Sequence, residues 1–246
     1  APVKKSKYLS QKDFERAKLA FDQIKSKKVI TGYKTSQKIK DKDFKNFVQW
    51  IYLMKRSNNA TFSTYETFIR NNADFPRIGR LRYLAEQKIY LKNSSPNNII
   101  KWFEEFPPVS GTGKLKLGEA FFDLNDVNNA KELIKDGWIT ADLNKSSLRY
   151  YRKKFKSVIN SDDHIKRADY LAWERKYWDL KRMLVYLPND FKALYNARQI
   201  LMSNSYGVDN AISKVPDRFK RDIGLEYDRL KWRNRRGRLE SSLQIL

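Results

Sequence analysis

One histidine, His164, stands among 246 residues, and there is no cysteine. A Ser-His-Asp triad or a His-pair metal site therefore has almost nothing to build from, and thiolate metal sites, disulfides and cysteine nucleophiles are excluded. Asp162 and Asp163 precede His164 and suit helix caps, so this histidine is expected as an ordinary residue of a helix start. The run Gly111-Thr112-Gly113-Lys114 suggests a phosphate cradle of backbone amides followed by a lysine. It fails on spacing: Pro108 stands where the motif needs its first glycine, Leu115 replaces the magnesium-binding Ser or Thr, and no strand precedes it. A loop is expected there. Glu104-Glu105 and Asp41 with Asp43 are carboxylate pairs. Adjacent helical residues diverge by about 100°, which leaves them as exposed acids balancing lysines. No catalytic, cofactor-binding or metal-binding residue is assigned, and no cofactor is expected.

What remains is binding chemistry. Lys and Arg number 51 against 28 Asp and Glu, a net charge of +23, and such a field attracts nucleic acid, anionic lipid or acidic cell-wall polymer. A lysine- and asparagine-rich composition that merely decorates solvated helix faces is the alternative. Two cationic clusters stand out. Arg149, Arg152, Lys153 and Lys156, with Lys154, interleave with Tyr150, Tyr151 and Phe155; Arg229, Arg233 and Arg236, with Lys231, Arg235 and Arg238, surround Trp232. The three- and four-residue spacing of Arg149, Arg152, Lys153 and Lys156 puts them on one helix face, as a polyanion site requires; a solvated outer face has the same spacing. The six Trp fall mostly within apolar stripes, so core packing is expected of them ahead of sugar stacking.

These residues must be positioned by helices. Apolar residues recur at i, i+3, i+4 and i+7 along nearly the whole chain, while alternation with period two is scarce. Residues 9–30 carry one stripe and Phe44, Phe47, Val48, Ile51 and Tyr52 the next, with Asn58-Asn59 as the break. Ser63 with Glu66 fits a capping box, and Pro76 and Pro96 each fit the first turn of a helix. Pro107-Pro108 ends an element. Residues 115–124 and 127–135 form a tight pair about Asn125-Asp126, with Ala120 and Ala130 permitting close approach. Later helices are expected at 147–158, 163–175, 178–187, 191–202, 208–215, 219–235 and 239–246, about fourteen in all.

The composition, 41% hydrophobic and 14% aromatic, describes a folded chain with a sizeable core. No window approaches the roughly 18 apolar residues of a membrane span, and the opening Ala1-Pro2-Val3-Lys4-Lys5 lacks a signal peptide's apolar stretch. A helical hairpin cannot bury both faces alone, so consecutive pairs stack. Loose repeats at Ala168, Ala172, Tyr177 and Leu184, then at Ala193, Ala197 and Ala211, resemble degenerate tetratricopeptide units. The expected fold is all-α, a right-handed superhelix of stacked helical hairpins forming a tetratricopeptide-like α-solenoid, with a compact helical globule as the competitor. No linker divides the chain, so residues 1–246 are expected as one domain. The apolar finish at Leu243, Ile245 and Leu246 suggests that more chain follows.

The stretch Arg167-Ala168-Asp169-Tyr170-Leu171-Ala172-Trp173, followed by Lys181-Arg182-Met183-Leu184 and Ala193-Leu194-Tyr195-Asn196-Ala197-Arg198, resembles the N-terminal superhelix of soluble lytic murein transglycosylases. Further marks are Asp74-Phe75-Pro76, Leu81-Arg82, Ala85-Glu86, Trp102-Phe103, Trp138, Val215-Pro216 and Asp228-Arg229-Leu230-Lys231-Trp232-Arg233. The resemblance implies a periplasmic bacterial protein whose helical pairs stand beside a goose-lysozyme-like catalytic domain. That family cleaves the bond between N-acetylmuramic acid and N-acetylglucosamine without water, leaving a 1,6-anhydro end, through a Glu in a Glu-Ser motif. Glu240-Ser241 lacks the aromatic residue and proline that continue that motif, and the resemblance covers only the non-catalytic part. The chain alone is therefore expected to be inactive and to position peptidoglycan strands or cell-wall protein partners. A basic helical repeat binding nucleic acid, the less favoured partner, and an adaptor gripping a peptide in a concave groove are the alternatives.

Overall fold

In the computed structural model, which describes residues 6–91, 94–203 and 206–237, fourteen α-helices and no β-strand are found among the described residues. The fold is all-α with helix stacked on helix, as the apolar periodicity requires. Its contacts fall into two compact units, Ala1–Ile89 and Tyr90–Leu246.

The first unit holds α1 (Gln11–Lys25), α2 (Val29–Ser36), α3 (Lys42–Met54), α4 (Phe62–Asn71) and α5 (Ile78–Glu86). Helix α1 packs on α2, α2 on α3, and α3 and α4 on α5, around Ala20, Val48, Leu53, Phe68, Leu81 and Leu84. The continuous helix expected over 9–30 is broken: Lys27 adopts φ 63°, reversing the chain so that α2 folds back on α1. Thr61, not Ser63, caps α4, accepting from the Thr64 amide at 3.3 Å. Glu66 turns instead to Arg70 at 3.2 Å. Pro76 precedes α5 rather than opening it, and its carbonyl accepts the Trp50 indole N–H at 2.9 Å. Beyond α3, Asn58 is buried, with its side-chain nitrogen 2.7 Å from the Lys55 carbonyl and 2.6 Å from the Tyr65 hydroxyl. Its side-chain oxygen accepts from the Ala60 amide at 2.9 Å. The expected break is thus a closed polar knot.

The second unit holds α6 (Pro96–Glu105), α7 (Gly111–Asp123), α8 (Val127–Thr140), α9 (Lys145–Lys154), α10 (Ser161–Trp173), α11 (Tyr177–Met183), α12 (Asn189–Leu201), α13 (Val208–Ser213) and α14 (Ile223–Arg235), with short 3-10 turns at Leu184–Tyr186 and Asp217–Phe219. Pro96 does take the first turn of α6, behind the Ser95 cap. Every second helix joins a row: α8 packs on α10, α10 on α12, and α12 on α14. Their buried alanines, Ala130, Ala168, Ala172 and Ala197, lie in one continuous core with Trp138, Leu171, Leu194 and Leu225.

The glycine run expected as a loop opens α7 behind a Ser110 cap. A Cβ at Gly137 would lie 2.7 Å from the Leu115 nitrogen and 2.8 Å from the Gly111 carbonyl, and one at Gly118 would lie 2.8 Å from Ile134 Cγ1. Gly111, from the run that mimics a phosphate loop, thus joins Gly118 and Gly137 in the seam along which α7 and α8 touch. The tail expected as a helix over 239–246 lies outside the described residues, as does Glu240-Ser241.

Candidate functional site

Helix α9 starts where the Asn144 side chain accepts the Ser147 amide at 2.9 Å. It buries Leu148 and Tyr151, and Phe155 just beyond it, with Phe155 edge-on to Phe122 at 5.4 Å. Burial of that stripe leaves Arg149, Arg152, Lys153 and Lys156 exposed. The common helix face holds only for Arg149, Arg152 and Lys153: α9 ends at Lys154, so Lys156 sits in the following turn. The chain turns there because Val158 and Ile159 are drawn into the core before the Asn160 cap of α10.

Arg152 is also engaged. Its guanidinium lies 4.6 Å from the Tyr186 ring, which lies 6.0 Å from His164, which in turn lies 5.4 Å from Trp138. Burial and the Arg152 charge both hold the His164 imidazole below its ordinary pKa of 6.5. This histidine is in the first turn of α10, as expected, although the cap is Asn160 boxed with Asp163.

Lys154 lies outside the residues assigned as a site, yet it joins a polar cluster centred on buried Glu119. Buried Glu119 of α7 accepts from Tyr150 at 2.5 Å, Tyr151 at 3.1 Å and Lys154 at 2.8 Å, and Lys154 also reaches Asp123 at 2.7 Å. Burial opposes the Lys154 charge, but the bonds to Asp123 and Glu119 outweigh it and hold the ammonium pKa above its ordinary value. Burial and Glu119 together keep the Tyr151 hydroxyl protonated. The cluster fastens α9 to α7, and it is what lets the rest of α9 face outward.

Helix α14 begins behind Asp222, which accepts the Leu225 amide at 2.8 Å. Arg229 and Arg233 line a small pocket with Trp232, Leu201, Val208, Asp209 and Ile212, and Arg236 lies 4.6 Å from the Trp232 ring. Arg235 turns away to the carbonyls of Leu201 at 2.5 Å and Met202 at 3.1 Å. Arg238 lies outside the described residues. The two cationic clusters thus belong to different packings, α9 against α7 and α14 against α12.

A third feature is absent from both clusters. Arg198 of α12 and Asp228 of α14, each 1% exposed, pair at 2.9 Å, and Arg198 also reaches Asp169 of α10 at 2.9 Å. The guanidinium lies 4.9 Å from the Trp173 ring, and Trp173 in turn lies 5.4 Å from Tyr227 at a tilt of 39°. Tyr195 donates to Asp169 at 3.3 Å, and Arg175 approaches Asp228 at 3.4 Å. A Cβ on Gly224 would overlap the guanidinium, so α14 passes directly over it. Core packing was expected of the tryptophans, and Trp102 and Trp138 are buried, but Trp173 is 45% and Trp178 65% exposed. The reason is position: Trp173 is the last residue of α10 and Trp178 lies in the first turn of α11, where a side chain overhangs the row rather than entering it. The four-residue step from Asp169 to Trp173 was the available signal for a shared face.

One joint nearby follows the same plan. Arg167 of α10 is buried against the α8 C-terminus, donating to the carbonyls of Trp138 and, at 3.0 Å, Ala141. Burial lowers its guanidinium pKa, against the pull of Asp179 and Asp142. Among the described residues no group of His, Asp and Glu is placed to hold a metal ion, and no helix is long and apolar enough to cross a membrane. Comparison with protein-family models, with curated proteins and with solved structures finds no match to this chain.

Proposed function

We propose that this chain is the non-catalytic helical part of a soluble lytic murein transglycosylase, a periplasmic enzyme of the bacterial cell wall. In this reading its hairpins wind as a right-handed, tetratricopeptide-like superhelix and hold peptidoglycan strands, or cell-wall protein partners, for a catalytic domain outside these residues. The observation that carries it is a convergence at Arg198. Asp169 and Trp173 belong to one stretch of the resemblance, Arg198 to a second and Asp228 to a third, and all three acidic or aromatic groups touch the same guanidinium. Marks matched by spacing alone have no reason to meet in space. Joints that keep successive hairpins in register do.

The exposed Arg149 and Lys153 of α9 and the pocket pair Arg229 and Arg233 supply the electrostatic part, since stem-peptide carboxylates make murein anionic. Sedimentation with insoluble peptidoglycan tests the role: retention at about 50 mM salt that falls steeply by about 500 mM is expected, because the Debye length shrinks below the reach of exposed charges. No retention at low salt removes the binding role. A polyanion-binding module for nucleic acid is the second reading, favoured by the same exposed α9 cations. It requires a gel shift at low salt whose strength falls linearly on a log–log salt plot.

A further inference from the structure

Trp173 and Tyr227 expose 45% and 38% of their surfaces, although both rings belong to helices whose other faces are in the core. They are not loosely hung. Arg198 lies beneath Trp173 at 4.9 Å, Lys231 lies 4.7 Å from the Tyr227 ring, and the two rings meet at 5.4 Å with a tilt of 39°. The same guanidinium that supports the indole holds Asp169 Oδ1 at 2.9 Å, and Tyr195 donates to that oxygen at 3.3 Å. Both of its partners fall on Oδ1, and the Asp169 side chain is 46% exposed, so Oδ2 faces outward as an acceptor. Asp169 stands one helical turn before Trp173, a Cβ separation of about 6 Å on the same face.

We propose that Trp173, Tyr227 and Asp169 form a sugar-stacking ledge, on which the C–H face of a pyranose lies against the indole while the outward oxygen of Asp169 accepts one of its hydroxyls. A pyranose is the ligand that fits this combination. One of its faces is apolar and matches a flat, partly desolvated ring, its rim is polar and within reach of a carboxylate one turn away, and it needs no more than two rings of area. A stable protein partner covers about 800 Å² on each side, more than two partly exposed rings provide. A nucleobase would stack as well, but its phosphates would meet the Asp169 carboxylate. Buried Arg198 and Asp228 fix both ring and acceptor before the ligand arrives, which removes an ordering cost from binding. The inference deepens the function proposed above, on which it rests for the kind of sugar, an N-acetylated amino-sugar chain.

The test uses the chain with an uncharged β-1,4-linked tetramer of N-acetylglucosamine, which carries no stem peptide and so bypasses the cationic faces. In ¹H–¹⁵N spectra the tetramer is expected to move the Trp173 indole N–H, assigned through Trp173→Phe, with an affinity that salt leaves unchanged. Trp173→Ala should weaken binding roughly tenfold or more, the equivalent of ~1.4 kcal/mol. Trp173→Phe should retain it within about threefold, and Asp169→Asn and Tyr227→Ala should each cost a few fold. Trp173→Phe and Tyr227→Ala keep the test decisive if Trp173→Ala fails to fold. An unmoved Trp173 resonance overturns the ledge, as does binding indifferent to both Trp173→Ala and Tyr227→Ala, or displacement of the tetramer from Trp173 by a single-stranded oligonucleotide. Retention of murein at low salt together with an unmoved Trp173 would sink the ledge and leave the proposed function standing. Tetramer binding without murein retention would do the reverse.

Discussion

Just past α3, one neutral side chain closes the chain on itself: Asn58 gathers the carbonyls of Leu53 and Lys55, the Tyr65 hydroxyl and the Ala60 amide, all within 12 residues of one another in sequence. Between α10, α12 and α14 the same duty of satisfying buried polar groups falls to ions. Arg198 there reaches partners 29 and 30 residues away. The neutral knot seals one turn and is indifferent to salt or pH. The charged joint ties three hairpins together at a large desolvation cost, and it is favourable only while every partner stays in place. The first unit uses local polarity to end a helix; the second uses long-range charge to set the register of a row.

The sharpest way to break this contrast is Arg198→Ala, which takes from buried Asp228 its nearer cation and leaves it Arg175 at 3.4 Å. A loss of about 3–5 kcal/mol is expected, read from urea unfolding followed by tryptophan fluorescence, and Arg198→Met with Asp228→Leu should lose far less than the single change. Should Arg198→Ala cost no more than Asn58→Ala, the charged joint has no special standing. Asn58→Ala itself should cost about 1–3 kcal/mol, because the carbonyls and the Ala60 amide lose their partner, and this loss should be the same at low and high salt. Gly137→Ala supplies a joint of the second unit with no charge in it. Its Cβ must push α7 from α8, for about 1–3 kcal/mol of strain, again without salt dependence in a thermal melt.

The smallest effect concerns protons. His164 has its pKa lowered in the folded state by burial and Arg152, so the unfolded chain binds the proton more readily. Stability is then complete above pH 6.5, the ordinary histidine value, and falls as pH drops from there toward the folded pKa. The loss, at most about 1 kcal/mol because the ring is half-buried, should vanish in His164→Phe and shrink in Arg152→Gln, with Asn58→Ala leaving the slope untouched. Unfolding curves at a series of pH values would show it.

Helix-period patterning and proline positions made the all-α fold legible, and Pro96 and Pro107-Pro108 fell where a missing amide is harmless or decisive. Less legible were features that depend on a neighbour distant in sequence. Residues 9–30 look like one stripe because both α1 and α2 turn apolar faces inward, and only the left-handed Lys27 divides them. Gly111 and Gly137 gave no periodic signal, since a glycine chosen for contact resembles a glycine chosen for a turn. At the candidate site, the exposed cations of α9 could be read from spacing, but Lys156 could not be separated from them without knowing that Val158 is pulled inward. The ledge was hidden because composition treats every tryptophan as core, whereas exposure at Trp173 follows from its place at the end of a helix.

The glycine seam between α7 and α8 also bears on the order of events during folding. Its partners, Leu115 with Gly137 and Gly118 with Ile134, belong to helices joined by a short turn about Asn125 and are closer in sequence than Arg198 is to its acids, so less chain entropy is lost in closing it. Contacts this local form early. The pair is therefore expected as the nucleus onto which α6 and α10 condense: substitutions along the seam should slow refolding in proportion to the stability they remove, whereas Arg198→Ala should act chiefly by hastening unfolding.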